Sequence, residues 1–270
     1  MKRQMLFCFF LSINCFLAEA RDNLRIPDVR TLSMGGNGVS HTPLFNPALL
    51  ALQEWKELRV DYYNRYSLSE LATISGGFCF PNGILPFGLH IASFGYDEYR
   101  ESLFRFSAGK RLNTYLTLGV SVQYALLQSE LFETDASRLS TDIGATFRPV
   151  DNWLITMSVI NFPSVSLNSE NIDSERIASF LIGMGVNWQV INNLLMTGGI
   201  AHNKEIPLDA SLGMEYLPYT DFHLRVGLRS SPFRPSLGFG YHFSGLTAEV
   251  VMIYHPVLGV STGLGLSYSF

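Results

Sequence analysis

The sequence predicts an all-β chain: a transmembrane antiparallel β-barrel of about fourteen strands, with an N-terminal lumenal plug that contains a short helix. Three observations predict it. From Glu57 to Phe270 bulky apolar residues alternate with small or polar ones. The strand charges keep to the face opposite the bulky set, and tight turns alternate with generally longer connections.

The first twenty residues set the compartment. Lys2 and Arg3 precede an apolar run from Met5 to Phe16 and an Ala18-Glu19-Ala20 site, so residues 1–20 read as a secretory signal peptide. The run is too short to span a bilayer as a helix and contains Ser12 and Asn14. Cys8 and Cys15 lie inside it, which leaves Cys79 alone and excludes an intramolecular disulfide or a cysteine metal cluster in the processed chain.

Residues 21–55 break the alternation and read as a plug or hatch. Gly35, Gly36 and Gly38 allow close approaches that side chains forbid. Asn46 reads as an N-cap, Pro47 as the first helical residue, and Ala48 to Gln53 as a short apolar helix. So short a helix needs tertiary packing. For a segment starting on the periplasmic side, the nearest place to pack is the lumen, where small inward residues leave room.

Residues 56–270 read as the barrel, with strands centred near Val60, Ser75, Leu89, Phe106, Val120, Ala145, Thr156, Ile182, Gly198, Gly213, Val226, Phe239, Val250 and Leu266. Short turns are expected at Pro81-Asn82-Gly83, Leu112-Asn113, Asp151-Asn152, Asn192-Asn193, Pro218 to Asp221 and Ser244-Gly245. Longer loops are expected at Gln128 to Ser137 and Phe162 to Arg176. This is the pattern of an outer-membrane barrel with tight periplasmic turns and longer external loops.

Charge placement decides between this barrel and a soluble sandwich, because a lipid-facing charge costs roughly 2–4 kcal/mol at the midplane. Arg59, Asp61, Arg105, Asp142, Glu215, Arg225 and Glu249 all oppose the bulky set of their strands. The face they share is mostly Gly, Ser, Thr and Ala, which suits a crowded lumen. Trp55, Trp153 and Trp188 adjoin predicted periplasmic turns and read as an aromatic girdle. The closing alternation, with Tyr268 and Phe270 on the apolar face, reads as the last barrel strand and as a barrel-assembly signal.

Function classes narrow accordingly. With 19 Lys and Arg against 23 Asp and Glu and no basic tract, nucleic acid is excluded as a partner. Gly259-Val260-Ser261-Thr262-Gly263 matches a nucleophile pattern that needs a helix after the serine, and a strand follows instead. The six histidines show no ligand spacing, so no catalytic set, metal or cofactor is expected. His223, Arg225 and Arg229 share one face of a strand and form a candidate lumen charge cluster. The cluster would hold an anionic group or, as lumenal charges commonly do, pair with Glu215, Glu249 or the plug.

In its order of motifs the chain resembles the FadL-like outer-membrane proteins, which include long-chain fatty-acid transporters and the PorV and PorQ proteins of type IX secretion. The resemblance rests on Met34-Gly35-Gly36, then Asn46-Pro47-Ala48 with an apolar helix, then fourteen strands. The stretch FGYDEYRESLFRFSAGKRLNTYLTLGVSVQY (Phe94 to Tyr124) is similar to PorV/PorQ-like chains of Bacteroidetes-type Gram-negative bacteria. The resemblance implies a plugged channel for small hydrophobic or amphipathic molecules, or else a non-transporting accessory barrel for secretion or surface attachment. Implied partners are outer-membrane lipid, the barrel-assembly machinery, and a hydrophobic small molecule or secretion-system proteins. The expected loops are shorter than those that build the capture site of fatty-acid transporters, so no ligand-binding residue carries over.

Overall fold

A computed structural model describes residues 23–130, 135–168, 179–203 and 208–270; the signal-peptide reading of residues 1–20 lies outside them, as does part of each long loop. Fifteen strands run along the described chain: β1 (Glu57–Asn64), β2 (Ala72–Phe80), β3 (Phe87–Tyr96), β4 (Tyr99–Arg111), β5 (Leu116–Ser129), β6 (Ala136–Val150), β7 (Trp153–Ile160), β8 (Ser164–Asn168), β9 (Leu181–Ile191), β10 (Leu194–Asn203), β11 (Asp209–Tyr219), β12 (Phe222–Arg229), β13 (Arg234–Phe243), β14 (Leu246–His255) and β15 (Gly259–Ser269).

Every neighbouring pair is antiparallel, and β15 returns to pair with β1 from Glu57↔Ser269 to Asn64↔Thr262, closing the sheet. Closure removes the free edges that an open sheet would leave. Fourteen strands make the wall. The fifteenth, β8, continues β7 along β6: Ser164 to Asn168 pair with Ser140 to Ser137, after a break at Asn161. The expected loop from Phe162 therefore begins as strand, a correction to the sequence reading. Asn161 adopts a left-handed backbone (φ 58°) and its buried side chain bonds Ser140 and the Ser179 carbonyl.

The alternation sorts residues between outside and inside. On β15, Leu264, Leu266 and Tyr268 are 57, 54 and 47% exposed, whereas Ser261 and Ser267 are buried. On β1, Val60 is 51% exposed and its neighbour Asp61 is 7%. A soluble sandwich would bury the bulky set between two sheets; here that set forms the outer surface. The buried apolar clusters are small, and each includes residues that precede the barrel. Leu24, Val39, Leu44 and Phe45 meet Phe94, Leu103 and Leu127, and Val29 and Leu32 meet Tyr63, Val251 and Ile253.

The tight turns lie at one end of the barrel together with Glu57 and Phe270; we name it the turn end and its opposite the loop end. Trp153 stacks on Trp188 (5.4 Å between centroids) and Tyr268 on Phe270 (5.7 Å), all at the turn end, where Trp55 is 66% exposed. The Phe270 amide donates to the Lys56 carbonyl at 3.0 Å.

Candidate functional site: the filled lumen

The segment from Asn23 to Gln53 occupies the lumen, and Glu54 and Trp55 emerge at the turn end. It carries three short helical turns: α1 (Val29–Ser33), α2 (Gly38–His41) and a 3-10 turn from Pro47 to Leu52. Asp28 caps α1, its Oδ1 accepting the Thr31 amide at 2.9 Å. Asn46 caps the 3-10 turn through Oδ1 to the Ala48 amide at 3.1 Å, with Pro47 at the first position. The helix expected from Pro47 to Gln53 is a 3-10 turn that starts at Pro47, as expected, and ends one residue sooner, at Leu52. Both α turns went unread, because four or five residues carry no periodic signal.

Within the described residues the segment runs from the loop end to the turn end. Asn23 sits at the loop end, where its amide nitrogen donates to Glu101 at 2.7 Å and its oxygen accepts from Arg65 at 2.6 Å. The chain then runs through the lumen and leaves at the turn end, beside Phe270.

A belt of glycines makes the space. Gly238, Gly213, Gly227, Gly199, Gly185, Gly144, Gly119 and Gly109 face inward on β13, β11, β12, β10, β9, β6, β5 and β4. A Cβ at any of them would lie no more than 2.8 Å from the segment, meeting in turn Ser33, Met34, Gly35, Asn37, Ser40, Asn46, Ala48 and Pro47. The segment is therefore an arc laid against the wall, its backbone where side chains would otherwise be. Gly35 and Gly36 have positive φ (85° and 77°), which only glycine adopts without strain. Gly38 starts α2 and is placed differently: a Cβ there would strike the Phe45 ring.

Wall side chains then satisfy the arc's backbone, as buried carbonyls require. Ser236 donates to the Ser33 carbonyl at 3.0 Å, Asn187 to Ser40 at 2.9 Å, Ser158 to Phe45 at 2.6 Å and Thr117 to Ala48 at 3.2 Å. Asn46 Nδ2 returns the favour to the wall, donating to the carbonyls of Ala145 and Met157 at 3.3 Å.

Charge ties α1 to the wall in an alternating circuit. Asp28 lies 3.7 Å from Arg59, and Arg59 reaches Glu249 at 2.8 Å. The other oxygen of Glu249 meets Arg225 at 2.8 Å, Arg225 Nε meets Glu215 at 2.5 Å, and Glu215 meets Arg30 at 2.8 Å. The circuit closes through the short backbone between Asp28 and Arg30. Asp61 adds a bond from the Val29 amide at 3.1 Å. Burial opposes the Asp28 charge, but Arg59, the Thr31 amide and Arg30 outweigh it and hold the carboxyl below its usual range. Burial, aided by Arg30, pushes the His41 imidazole down to about 3, against the opposing pull of Asp28 and Glu215.

The structure divides the predicted charge cluster. Arg225 is buried and paired with both Glu215 and Glu249, the alternative to anion binding; His223 Nδ1 lies 3.6 Å from Glu215. Arg229 is elsewhere, near the loop-end mouth, with Asp209 as its acid (2.6 Å from Nε). Sequence reading missed Asp28, Arg30 and Asp209. Asp209 was accessible in principle, since it is in phase with Glu215 on the inward face of β11. Cys79 is a free thiol.

The arc leaves a gap. Between the segment and the inner faces of β1 to β4 lies a cavity of about 110 Å³. Ile26, Leu44, Leu50 and His41 line it from the segment, and Arg59, Asp61, Ser75, His90 and Arg105 from the wall. Arg105 is buried and paired with Asp142. No three His, Cys, Asp or Glu side chains among the described residues are grouped to hold a metal ion.

No protein-family model matches the chain, and no curated protein matches it. Solved structures do. The toluene transporter TbuX of Ralstonia pickettii superposes with a TM-score of 0.65 at 12% identity, over 92% of this chain and 99% of that one. The toluene transporter TodX of Pseudomonas putida gives 0.65 at 13%, over 92% and 99%. A FadL homologue of Pseudomonas aeruginosa gives 0.60 at 12%, over 93% and 98%. At such identities the likeness is one of architecture, and it spans nearly the whole of each chain. The chain therefore has the fold of the FadL-like β-barrels.

Proposed function

We propose that the protein is an outer-membrane channel whose lumen is stoppered by its own amino-terminal segment and which passes small apolar or amphipathic molecules. The observation that carries the reading is the sorting of side chains: the bulky apolar set faces out and the charged set is enclosed. Only an apolar surrounding rewards that arrangement. The fold shared with two toluene transporters supports transport of an apolar solute. On this reading residues 1–20 are removed on export, the turn-end aromatics sit at the periplasmic headgroup level, and Tyr268 and Phe270 form the signal read by the assembly machinery.

A second reading, an accessory barrel that conducts nothing and serves secretion or surface attachment, draws on the closeness of the segment's fit along its belt of glycines. Reconstituted vesicles separate the two. The full chain should admit a small aromatic hydrocarbon faster than protein-free vesicles, and deletion of Gly35 to Gln53 should raise leakage of small polar solutes. Leakage unchanged by the deletion refutes the stopper. Hydrocarbon entry no faster than in protein-free vesicles favours the accessory reading, which specific crosslinking of the loop-end connections to a partner protein would support.

A further inference from the structure

Two arginines face one another at the loop-end mouth of the lumen. Arg229 closes β12 and Arg234 opens β13, and they are register partners on adjacent strands. Like charges in directly opposed positions repel. One acid serves the pair, and Arg229 takes it: both Nε and Nη2 of Arg229 reach the same oxygen of Asp209. The Arg234 side chain makes no hydrogen bond or ion pair with any described residue, and its Nε is shut away from solvent without an acceptor. An enclosed donor without an acceptor is costly.

A small cavity of about 30 Å³ adjoins the pair, lined by Gly35, Gly36, Tyr63 and Ser236 together with the apolar Leu32 and Ile253. Gly36 brings its backbone close under the guanidinium of Arg229: a Cβ there would sit 3.3 Å from Nη1. The space holds roughly two or three water-sized spheres, enough for one charged head and too little for a hydrocarbon chain.

We propose that this mouth is an oxyanion site, in which Arg234 and the free Nη1 of Arg229 hold one phosphate- or carboxylate-type group. A guanidinium fork matches such a group in shape and charge. The bound anion removes the repulsion between the arginines and supplies the acceptor that Arg234 lacks. The group is either free in solution or carried on a lipid, and the site does not depend on what the lumen conducts.

The test is thermal unfolding of the detergent-solubilised full chain, followed by the heat-dependent mobility of the barrel. Inorganic phosphate at millimolar concentration should raise the wild-type transition by several degrees, and sodium chloride at equal ionic strength should not. Arg234→Gln should unfold at a higher temperature than wild type when anion is absent, and should not respond to phosphate. Dodecyl phosphate doped into neutral micelles distinguishes the sources: protection by it alone assigns the group to a lipid, and protection by inorganic phosphate assigns it to solution. Either supports the site. Equal protection by chloride, an equal response of Arg234→Gln, or no wild-type response to either probe overturns it. Should Arg234→Gln fail to fold, Arg234→Lys, which keeps charge but loses the fork, should show a weakened response; an undiminished one overturns the proposal.

Discussion

Arg30 grips Glu215 at two points, Nε to Oε2 at 3.1 Å and Nη2 to Oε1 at 2.8 Å, and so joins the interior segment to a strand 185 residues along the chain. Behind Glu215 stands Arg225, and behind that Glu249 and Arg59. Glu215 and Glu249 each lie between two guanidinium groups, so neither carboxylate depends on a single partner.

Arg225 is the member whose loss should be most costly. Arg225→Met leaves Glu215 and Glu249 enclosed with one partner fewer each, and removal of one side of a buried pair costs about 3–5 kcal/mol. Glu249→Gln together with Arg225→Met should cost less than the sum of the two single changes. Denaturant unfolding of the four proteins measures this; additive losses would show that the circuit is not coupled.

The glycine belt gives a comparison between adjacent residues. Gly199 faces inward against Asn37, whereas Gly198 faces outward with only ordinary contacts around a built Cβ. Gly199→Ala should loosen the segment and expose residues 23–55 to protease while the barrel still closes. Gly198→Ala should leave protection as in wild type. Equal digestion of the two variants would show that the belt does not seat the segment.

Asn46 closes one turn and binds two strands. Asn46→Ala removes the cap to Ala48 and the donors to Ala145 and Met157, with an expected loss of about 1–3 kcal/mol. Asn46→Asp keeps the cap acceptor and loses the donors, so it should recover part of that loss. Unfolding of both variants separates the two roles.

Acid should release the segment. His41 has a folded-state pKa of about 3, below its unfolded value of 6.5. Its stabilising contribution is therefore complete above about 6.5 and declines as pH falls toward 3. Asp28, also depressed, adds a loss that begins below its unfolded value of 3.8. Hydrogen exchange of residues 28–52 should quicken as pH drops through this window, after correction for the intrinsic rate. His41→Gln should remove the upper part of the effect.

Much of the wall was legible, because closure and burial impose a period of two that survives in Leu264 to Phe270 as plainly as in Leu116 to Leu126. The N-cap at Asn46 and the tight approach at Gly35 and Gly36 were legible for local reasons. What failed was long-range. Glu249 and Arg59 lie on strands separated by β15, and only the tilt and register of a closed sheet bring them together. β8 was hidden because Pro163 and the left-handed Asn161 read as loop. The direction in which the segment threads was unreadable from composition alone, since it is decided by contacts of Asn23 with β4 and the β1–β2 connection.

That threading constrains assembly. The stretch filling the cylinder is made before any stave of it, and the seam between first and last staves is the final joint to shut. With one extremity of the filling near one rim and the other continuing into the first stave at the opposite rim, the contents are enclosed by construction, as a ship is when its bottle is blown around it. Whatever later loosens them must act from inside, through a rim, or beside β8, which among the described residues is joined on one side only, to β6.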